Sequence, residues 1–271
     1  MTKTILKWAG NKSKVMGKIS PFFPNEFERY LEPFAGSLGA FLHSGVESEA
    51  LMNDLNEEVF NLFECVREDY QRVSELANAI DKSKENYYKV RNLDRDDGWL
   101  STANRFEKAA RTVYLNKTCF NGLYRVNKSG QSNVPYGSGR KGEVLPLKEA
   151  KAFSEAIQDV EFFSLDYKEF LKKAQPGDLI YMDPPYVDLK DPKKEFNGYV
   201  GGFGWTQQEE LIEECKRLRD LGCTVVVSNS HCSDTLELYK DFNIEVIEAP
   251  RYISCKKDGR RPVKEIVAVL T

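Results

Sequence analysis

Near-continuous apolar runs mark the first and last thirds of the chain, the clearest being Leu-Ile-Tyr-Met at 179–182 and Val-Val-Val at 225–227. A strand covered on both faces has no polar side to present, so such runs predict buried strands. On this basis strands are expected at 29–33, 50–53, 160–165, 179–183, 224–228, 244–248 and 265–270. Between them the spacing turns helical. In 207–221, the apolar Leu211, Ile212, Cys215, Leu218 and Leu221 fall on one side of a helix. Strands alternating with helices predict an α/β fold, a Rossmann-like doubly wound and mostly parallel sheet.

From 56 to 145 the pattern changes. Helical segments at 57–80, 86–93 and 103–117 follow one another without a strand. They lead to a polar stretch, 123–136, that reads as a β-hairpin turning at Lys128-Ser129-Gly130. Gly137, Gly139 and Gly142 then free the backbone before the next helix. Residues 1–56 and 146–271 are therefore expected to form the catalytic domain, with 57–145 as an inserted, mainly helical lobe carrying the hairpin.

Composition narrows the class. Of the 271 residues 41% are hydrophobic and 30% charged, enough for a sizeable core under a solvated surface. No run is long enough for a membrane span, and the first eight residues lack the apolar core of a secretory signal, so a cytoplasmic protein is expected. Six cysteines are scattered without CxxC pairing and the histidines are only His43 and His231, which predicts reduced thiols and no metal site. His231-Cys232 reads as loop and core packing. A monomer is expected.

The net charge of −3 argues against a protein that coats nucleic acid by bulk charge. The distribution is uneven, however. Residues 57–98 hold 11 acids and 7 bases, whereas 105–141 hold 8 bases and one acid and 250–264 hold 6 bases and one acid. Two basic stretches on an acidic body suit local grip on a polyanion, and ordinary clustering of surface lysines accounts for them equally.

Ligands of open α/β sheets bind at the carboxyl ends of the strands. Glu32-Pro33-Phe34-Ala35-Gly36-Ser37-Leu38-Gly39 follows the first expected strand, and Asp54 ends the second. A glycine turn followed by an acid suits a nucleoside, the acid accepting from ribose hydroxyls. It does not separate a dinucleotide from S-adenosylmethionine. Asp183-Pro184-Pro185-Tyr186 closes the strand at 179–183. Two prolines stop the strand and supply no N–H, leaving carbonyls and a carboxylate as acceptors beside an aromatic face. An exocyclic amine on a heteroaromatic ring needs that environment, because its lone pair is delocalised and is freed by accepting bonds from its N–H groups.

Read in order, Lys7-Trp8-Ala9-Gly10-Asn11-Lys12, Glu32 to Gly36, Asn121-Gly122-Leu123-Tyr124-Arg125, Asn133-Val134-Pro135-Tyr136-Gly137, Asp183 to Tyr186 and Tyr252 to Gly259 resemble the DNA adenine methyltransferase (Dam) family, of the α group. The resemblance implies transfer of a methyl group from S-adenosylmethionine to N6 of a flipped-out adenine in double-stranded DNA, within GATC. It implies a catalytic role for Asp183, Pro184 and Tyr186. It implies cofactor contacts from Trp8, Lys12, Glu32, Phe34, Gly36, Asp54, Phe163 and Asp183, with Lys12 pairing the methionine carboxylate. The lobe at 57–145 becomes the target-recognition domain. Its DNA contacts are Lys7, Phe120, Asn121, Arg125, Asn133 and Pro135, with Arg125 bidentate on a guanine edge. A phosphate clamp is the other reading of Arg125.

The chain departs from the family where a second glycine normally stands two residues after the first; Leu38 occupies that place. The segment 187–205 resembles the family's loop over the target base only through Phe196 to Tyr199. Two rivals remain from the residues alone: a methyltransferase for another planar amino group, such as cytosine N4 or an RNA base, and a catalytically silent DNA-binding relative.

Overall fold

The computed structural model describes residues 2–127, 129–137, 141–187, 202–249 and 262–271. The loop expected at 187–205 and the basic stretch at 250–264 fall largely outside these residues, and the segment 252–259 wholly so. In chain order the elements are α1 (Met16–Ile19), β1 (Tyr30–Glu32), α2 (Phe41–Ser44), β2 (Ala50–Asn53), α3 (Glu57–Ala79), α4 (Lys84–Arg91), α5 (Asp97–Thr102), α6 (Arg105–Thr118), α7 (Leu147–Ala156), β3 (Val160–Phe163), α8 (Tyr167–Leu171), β4 (Leu179–Met182), α9 (Trp205–Leu221), β5 (Thr224–Ser230), α10 (Ser233–Leu238), β6 (Asn243–Ala249) and β7 (Val263–Leu270). Short 3-10 turns lie at Lys12–Lys14, Ser20–Phe22, Asn92–Arg95 and Phe120–Gly122. The chain divides into two compact units: Met1–Asn11 with Gly36–Leu42 and Asn56–Gln158, and Lys12–Ala35 with His43–Leu55 and Asp159–Thr271.

The second unit is built on a sheet of seven strands among the described residues, in the order β3-β2-β1-β4-β5-β7-β6. The first five run parallel, and β7 is antiparallel to both of its neighbours. Every residue of β1, β2 and β4 is buried, as expected for central strands covered on both faces. Edge strand β6 is half exposed. Beneath the sheet, α9 lays Leu211, Ile212, Cys215 and Leu218 against Ile180, Met182, Val225 and Val227. Each fully buried aliphatic side chain contributes roughly 1.5–3 kcal/mol. Leu221, expected on this stripe, is 37% exposed, and the polar Gln208 is buried instead. Gly222 ends α9 in the left-handed conformation, φ 96°, which costs a glycine little. The chain order reverses between β1 and β4, so the crevice at their carboxyl ends is the switch point where ligands bind in such sheets.

The first unit is helical. Asp69 breaks α3 with φ −149° and ψ 79°, and its carboxylate accepts the backbone N–H of Arg72 at 2.9 Å, capping the turn that follows. Helix α6 opens with a reciprocal capping box between Asn104 and Glu107 and then runs buried from Ala109 to Thr118. That burial corrects the picture of a wholly exposed basic stretch at 105–141. Arg111 is 3% and Lys117 8% exposed, because both fall on the central helix of the unit. Arg111 is compensated by the carbonyls of Val90 and Arg91 at 3.0 and 2.7 Å and by Asp94 at 2.8 Å.

Candidate functional site

In the sheet unit the switch point gathers the tetrapeptide and its supports. Pro33 and Pro184 follow β1 and β4 closely and end the ladder, so Glu32 and Asp183 mark the two strand ends. Asp183 Oδ1 accepts from Lys12 Nζ at 2.9 Å and from Ser228 Oγ at 3.0 Å. Lys12 is almost fully buried, and its ammonium also stands 4.5 Å from the centroid of the Tyr186 ring. Ser228 Oγ in turn lies 2.9 Å from the Tyr181 hydroxyl. The Tyr186 hydroxyl donates to Glu265 Oε2 at 2.9 Å. Desolvation, then the Asp183 charge, pushes both tyrosine hydroxyls well above the ordinary phenol range, so both remain donors.

The backbone of the tetrapeptide is held as well. Gln208 Nε2 donates to the Pro185 carbonyl at 2.8 Å, and the Gln208 Oε1 accepts from Asn229 at 3.0 Å. Glu32 is 2% exposed and accepts from the Tyr30 hydroxyl at 2.6 Å. Phe34 is half-buried against Tyr167, 5.3 Å between centroids, and edge-on to Phe203 at 5.6 Å. At the next strand ends Asp54 donates its backbone N–H to the Phe163 carbonyl at 3.2 Å, bringing the ends of β2 and β3 together, and the Phe163 ring is half-buried. Buried Asn53 ties these ends together through Pro33 O and Leu165 O, at 3.1 and 3.0 Å.

In the helical unit Trp8 packs on Tyr124 with centroids 5.4 Å apart. Gly36 adopts φ 48°, and a Cβ there would stand 2.7 Å from Trp8 Nε1. Leu38 takes φ 61°, a left-handed conformation that costs a leucine about 1–2 kcal/mol. The turn thus keeps a glycine-like backbone at the place where the family has glycine, and Leu38 meets it while fully buried.

The same unit brings all six expected nucleic-acid contacts to one neighbourhood. Buried Asn116 clamps the Lys7 backbone in both directions, accepting its N–H at 2.9 Å and donating to its carbonyl at 2.8 Å. A Cβ on Gly122 would run into the Lys7 side chain at 2.4 Å, so residue 122 has to be glycine for Lys7 to lie there. Phe120, 47% exposed, donates its N–H to Pro135 O at 2.9 Å, and the adjacent Asn121 has φ 57°. Across the hairpin Arg125 Nε donates to Asn133 Oδ1 at 2.6 Å and Nη2 to Asn133 O at 3.2 Å. The pairing consists of isolated bridges, Val126 with Ser132 and Cys119 with Tyr136, in place of a continuous ladder. Asp94 and Arg95 bind the N–H and carbonyl of Ser132 at 2.7 Å each.

Sequence reasoning did not find Ser228, Gln208, Glu265 or Asn116. All are polar residues inside or beside elements read as packing, and only their emergence next to the tetrapeptide or Lys7 reveals their part. Burial pushes the thiols of Cys65, Cys119 and Cys223 up to about 11. Among the described residues no group of three or more His, Cys, Asp or Glu could hold a metal, and no helix is long and apolar enough to cross a membrane.

Comparison with known proteins agrees with this geometry. The family model described as D12 class N6 adenine-specific DNA methyltransferase matches residues 8–253. A type II methyltransferase of Lactococcus lactis subsp. cremoris, M1.LlaDCHI, is 35% identical over 96% of this chain and 93% of its own length. The retron Ec67 DNA adenine methylase of Escherichia coli is 33% identical, covering 98% and 90%. A DNA adenine methylase of Haemophilus influenzae is 30% identical, covering 98% and 93%.

Proposed function

The chain belongs to the D12 class of N6 adenine-specific DNA methyltransferases, and we propose that it uses S-adenosylmethionine to methylate the adenine of GATC in duplex DNA. The observation that carries the reading is the setting of Asp183. A carboxylate at the switch point, next to a tyrosine ring and on a backbone with two prolines, meets what an exocyclic amine requires. Asp183 accepts an N–H of the adenine N6 amino group, the carbonyl of Pro184 accepts the other, and Tyr186 stacks on the ring. The lone pair is thereby localised on nitrogen. The base has to leave the duplex to reach Asp183.

The residues present suit the cofactor. Asp54 beside Phe163 offers an acid for ribose hydroxyls next to an aromatic for the adenine ring. Glu32 and Phe34 stand at the end of β1 in the same unit. Lys12 has three N–H donors, so one ammonium can serve Asp183 and the methionine carboxylate together. When bound, S-adenosylmethionine supplies an electrophilic methyl on its sulfonium.

We assign the address to the helical unit, with residues 57–145 acting as the target-recognition domain and Lys7 packed beside them. The Asn133 side chain fixes one edge of the Arg125 guanidinium and leaves the fork aimed by the hairpin, as bidentate guanine recognition requires. Lys7 reaches the first guanine, while Phe120, Asn121 and Pro135 meet the stack around the vacated position. The enzyme acts as a cytoplasmic monomer without a metal. The test uses plasmid incubated with enzyme and S-adenosylmethionine. Protection from a nuclease blocked by N6-methyladenine in GATC, with new sensitivity to one that requires it, is expected. Methyladenine formed while GATC sites stay cleavable would overturn the address.

A further inference from the structure

Two contacts stand out at the Tyr186 ring. One is the Lys12 ammonium, 4.5 Å from the ring centroid, a group already committed to Asp183. The other is the hydrogen bond from the hydroxyl to Glu265 Oε2 at 2.9 Å. The prolines before Tyr186 set its backbone but not its side-chain torsions. The Lys12 contact is to the ring face, whereas the Glu265 contact tethers the far end of the ring through its hydroxyl.

Glu265 is well placed to hold it. It lies in β7 between two neighbours, in register with Ser230 of β5 and Ile247 of β6, so its backbone is fixed on both sides. Strand β5 also supplies Ser228 to Asp183. The first and last residues of the tetrapeptide are thus bound, through side chains, to one adjacent pair of strands. The acid is also costly where it stands. Desolvation raises its carboxyl above the ordinary glutamate value, Lys12 opposes the rise, and Asp183 adds to it. An acid placed near a second carboxylate at a functional site, rather than in solvent, calls for a role there.

We infer that Glu265 is a positioning residue for methyl transfer: through the Tyr186 hydroxyl it fixes the ring on which the acceptor base stacks. This rests on the function proposed above. Glu265→Leu removes the acceptor, Glu265→Gln keeps one, and Tyr186→Phe removes the same hydrogen bond from the other side while preserving the ring.

The experiment measures steady-state methylation of a GATC duplex by the wild type, these three variants and the Glu265→Leu/Tyr186→Phe double variant. A second duplex with 2-aminopurine at the target position reports stacking, since ring stacking quenches its emission. Glu265→Leu is expected to lower kcat roughly 10–100-fold, with KM for DNA and cofactor little changed, as for a misplaced reacting group. Glu265→Gln restores most of the rate, the double variant is no slower than Tyr186→Phe, and bound 2-aminopurine is brighter in Glu265→Leu than in the wild type. Wild-type kcat in Glu265→Leu, or independent and multiplying losses in the double variant, overturns the inference. So does a loss that Glu265→Gln does not rescue. A wild type that makes no N6-methyladenine overturns the proposed function itself, which keeps the two failures distinct.

Discussion

The carboxyl end of β4 and the hairpin around Arg125 solve opposite problems. At β4 the acceptor carboxylate is braced by Lys12 and Ser228, the tyrosine by Glu265 and the backbone by Gln208; all but Lys12, which sits in a short 3-10 turn, lie on strands of the sheet or on α9. The hairpin is exposed, carries isolated bridges, and takes much of its order from Asp94 and Arg95 outside it. Methyl transfer needs atoms held closely, and the sheet supplies rigidity. Reading DNA needs exposed side chains that settle on base edges, and a loop positioned by a scaffold suits the recognition role proposed for the hairpin. On the function proposed above, one region fixes the reaction and the other the address.

The sharpest way to separate them is to disable one and watch the other. Asp183→Ala should lower transfer by roughly a hundred- to a thousandfold, as for loss of a preorganised group at a developing charge. Duplex affinity, measured by fluorescence anisotropy, should stay near wild type. Equal loss of binding and turnover would merge the two regions. From the other side, Arg125→Lys should keep turnover on GATC at saturating DNA but reduce discrimination against duplexes altered at the guanine by about 1–3 kcal/mol, roughly 5- to 150-fold in relative kcat/KM. A uniform loss on every sequence would mark Arg125 as a phosphate clamp.

Smaller effects probe the scaffold. Leu38→Ala empties a buried site and keeps the left-handed strain, whereas Leu38→Gly empties it and removes the strain. Leu38→Gly should therefore melt a few degrees above Leu38→Ala, about 2–4 °C per kcal/mol for a chain of this size, with both below wild type in calorimetry. The reverse order would deny that the backbone there is strained. The smallest effect concerns pH. The Glu265 carboxyl is raised in the folded state, so the fold binds that proton more tightly than the unfolded chain does. Its contribution is most favourable below the ordinary glutamate value of 4.5 and is lost as pH rises through the raised one. Glu265→Gln should then match or exceed wild-type thermal stability at pH 7 and lose that advantage on acidification. A variant gaining relative stability on acidification would reverse the sign.

Much of this was legible in the sequence, for physical reasons. The central strands β1, β2 and β4 announce themselves because parallel strands buried on both faces are largely apolar. The tetrapeptide stands out because two prolines stop the strand and leave a carboxylate and carbonyls as acceptors beside an aromatic. Strand order was not legible, since the run of Val at 225–227 says nothing of its neighbour β7. Gln208 was hidden because a polar residue on a helix reads as exposed, although its amide serves the Pro185 carbonyl. Arg111 was counted with surface bases, and only packing shows that α6 runs through the interior. Glu265 lies 79 residues from the tyrosine it binds, and no periodicity links them.

The central claim is that the carboxylate ending β4 directs methyl transfer to the exocyclic amine of adenine. Nucleoside mass spectrometry of duplex DNA incubated with S-adenosylmethionine and enzyme tests it most directly, with Asp183→Ala in parallel. The expected result is N6-methyldeoxyadenosine as the methylated nucleoside with the wild type and none above background with the variant. N4-methyldeoxycytidine from the wild type, or undiminished N6-methyldeoxyadenosine from Asp183→Ala, would contradict the account.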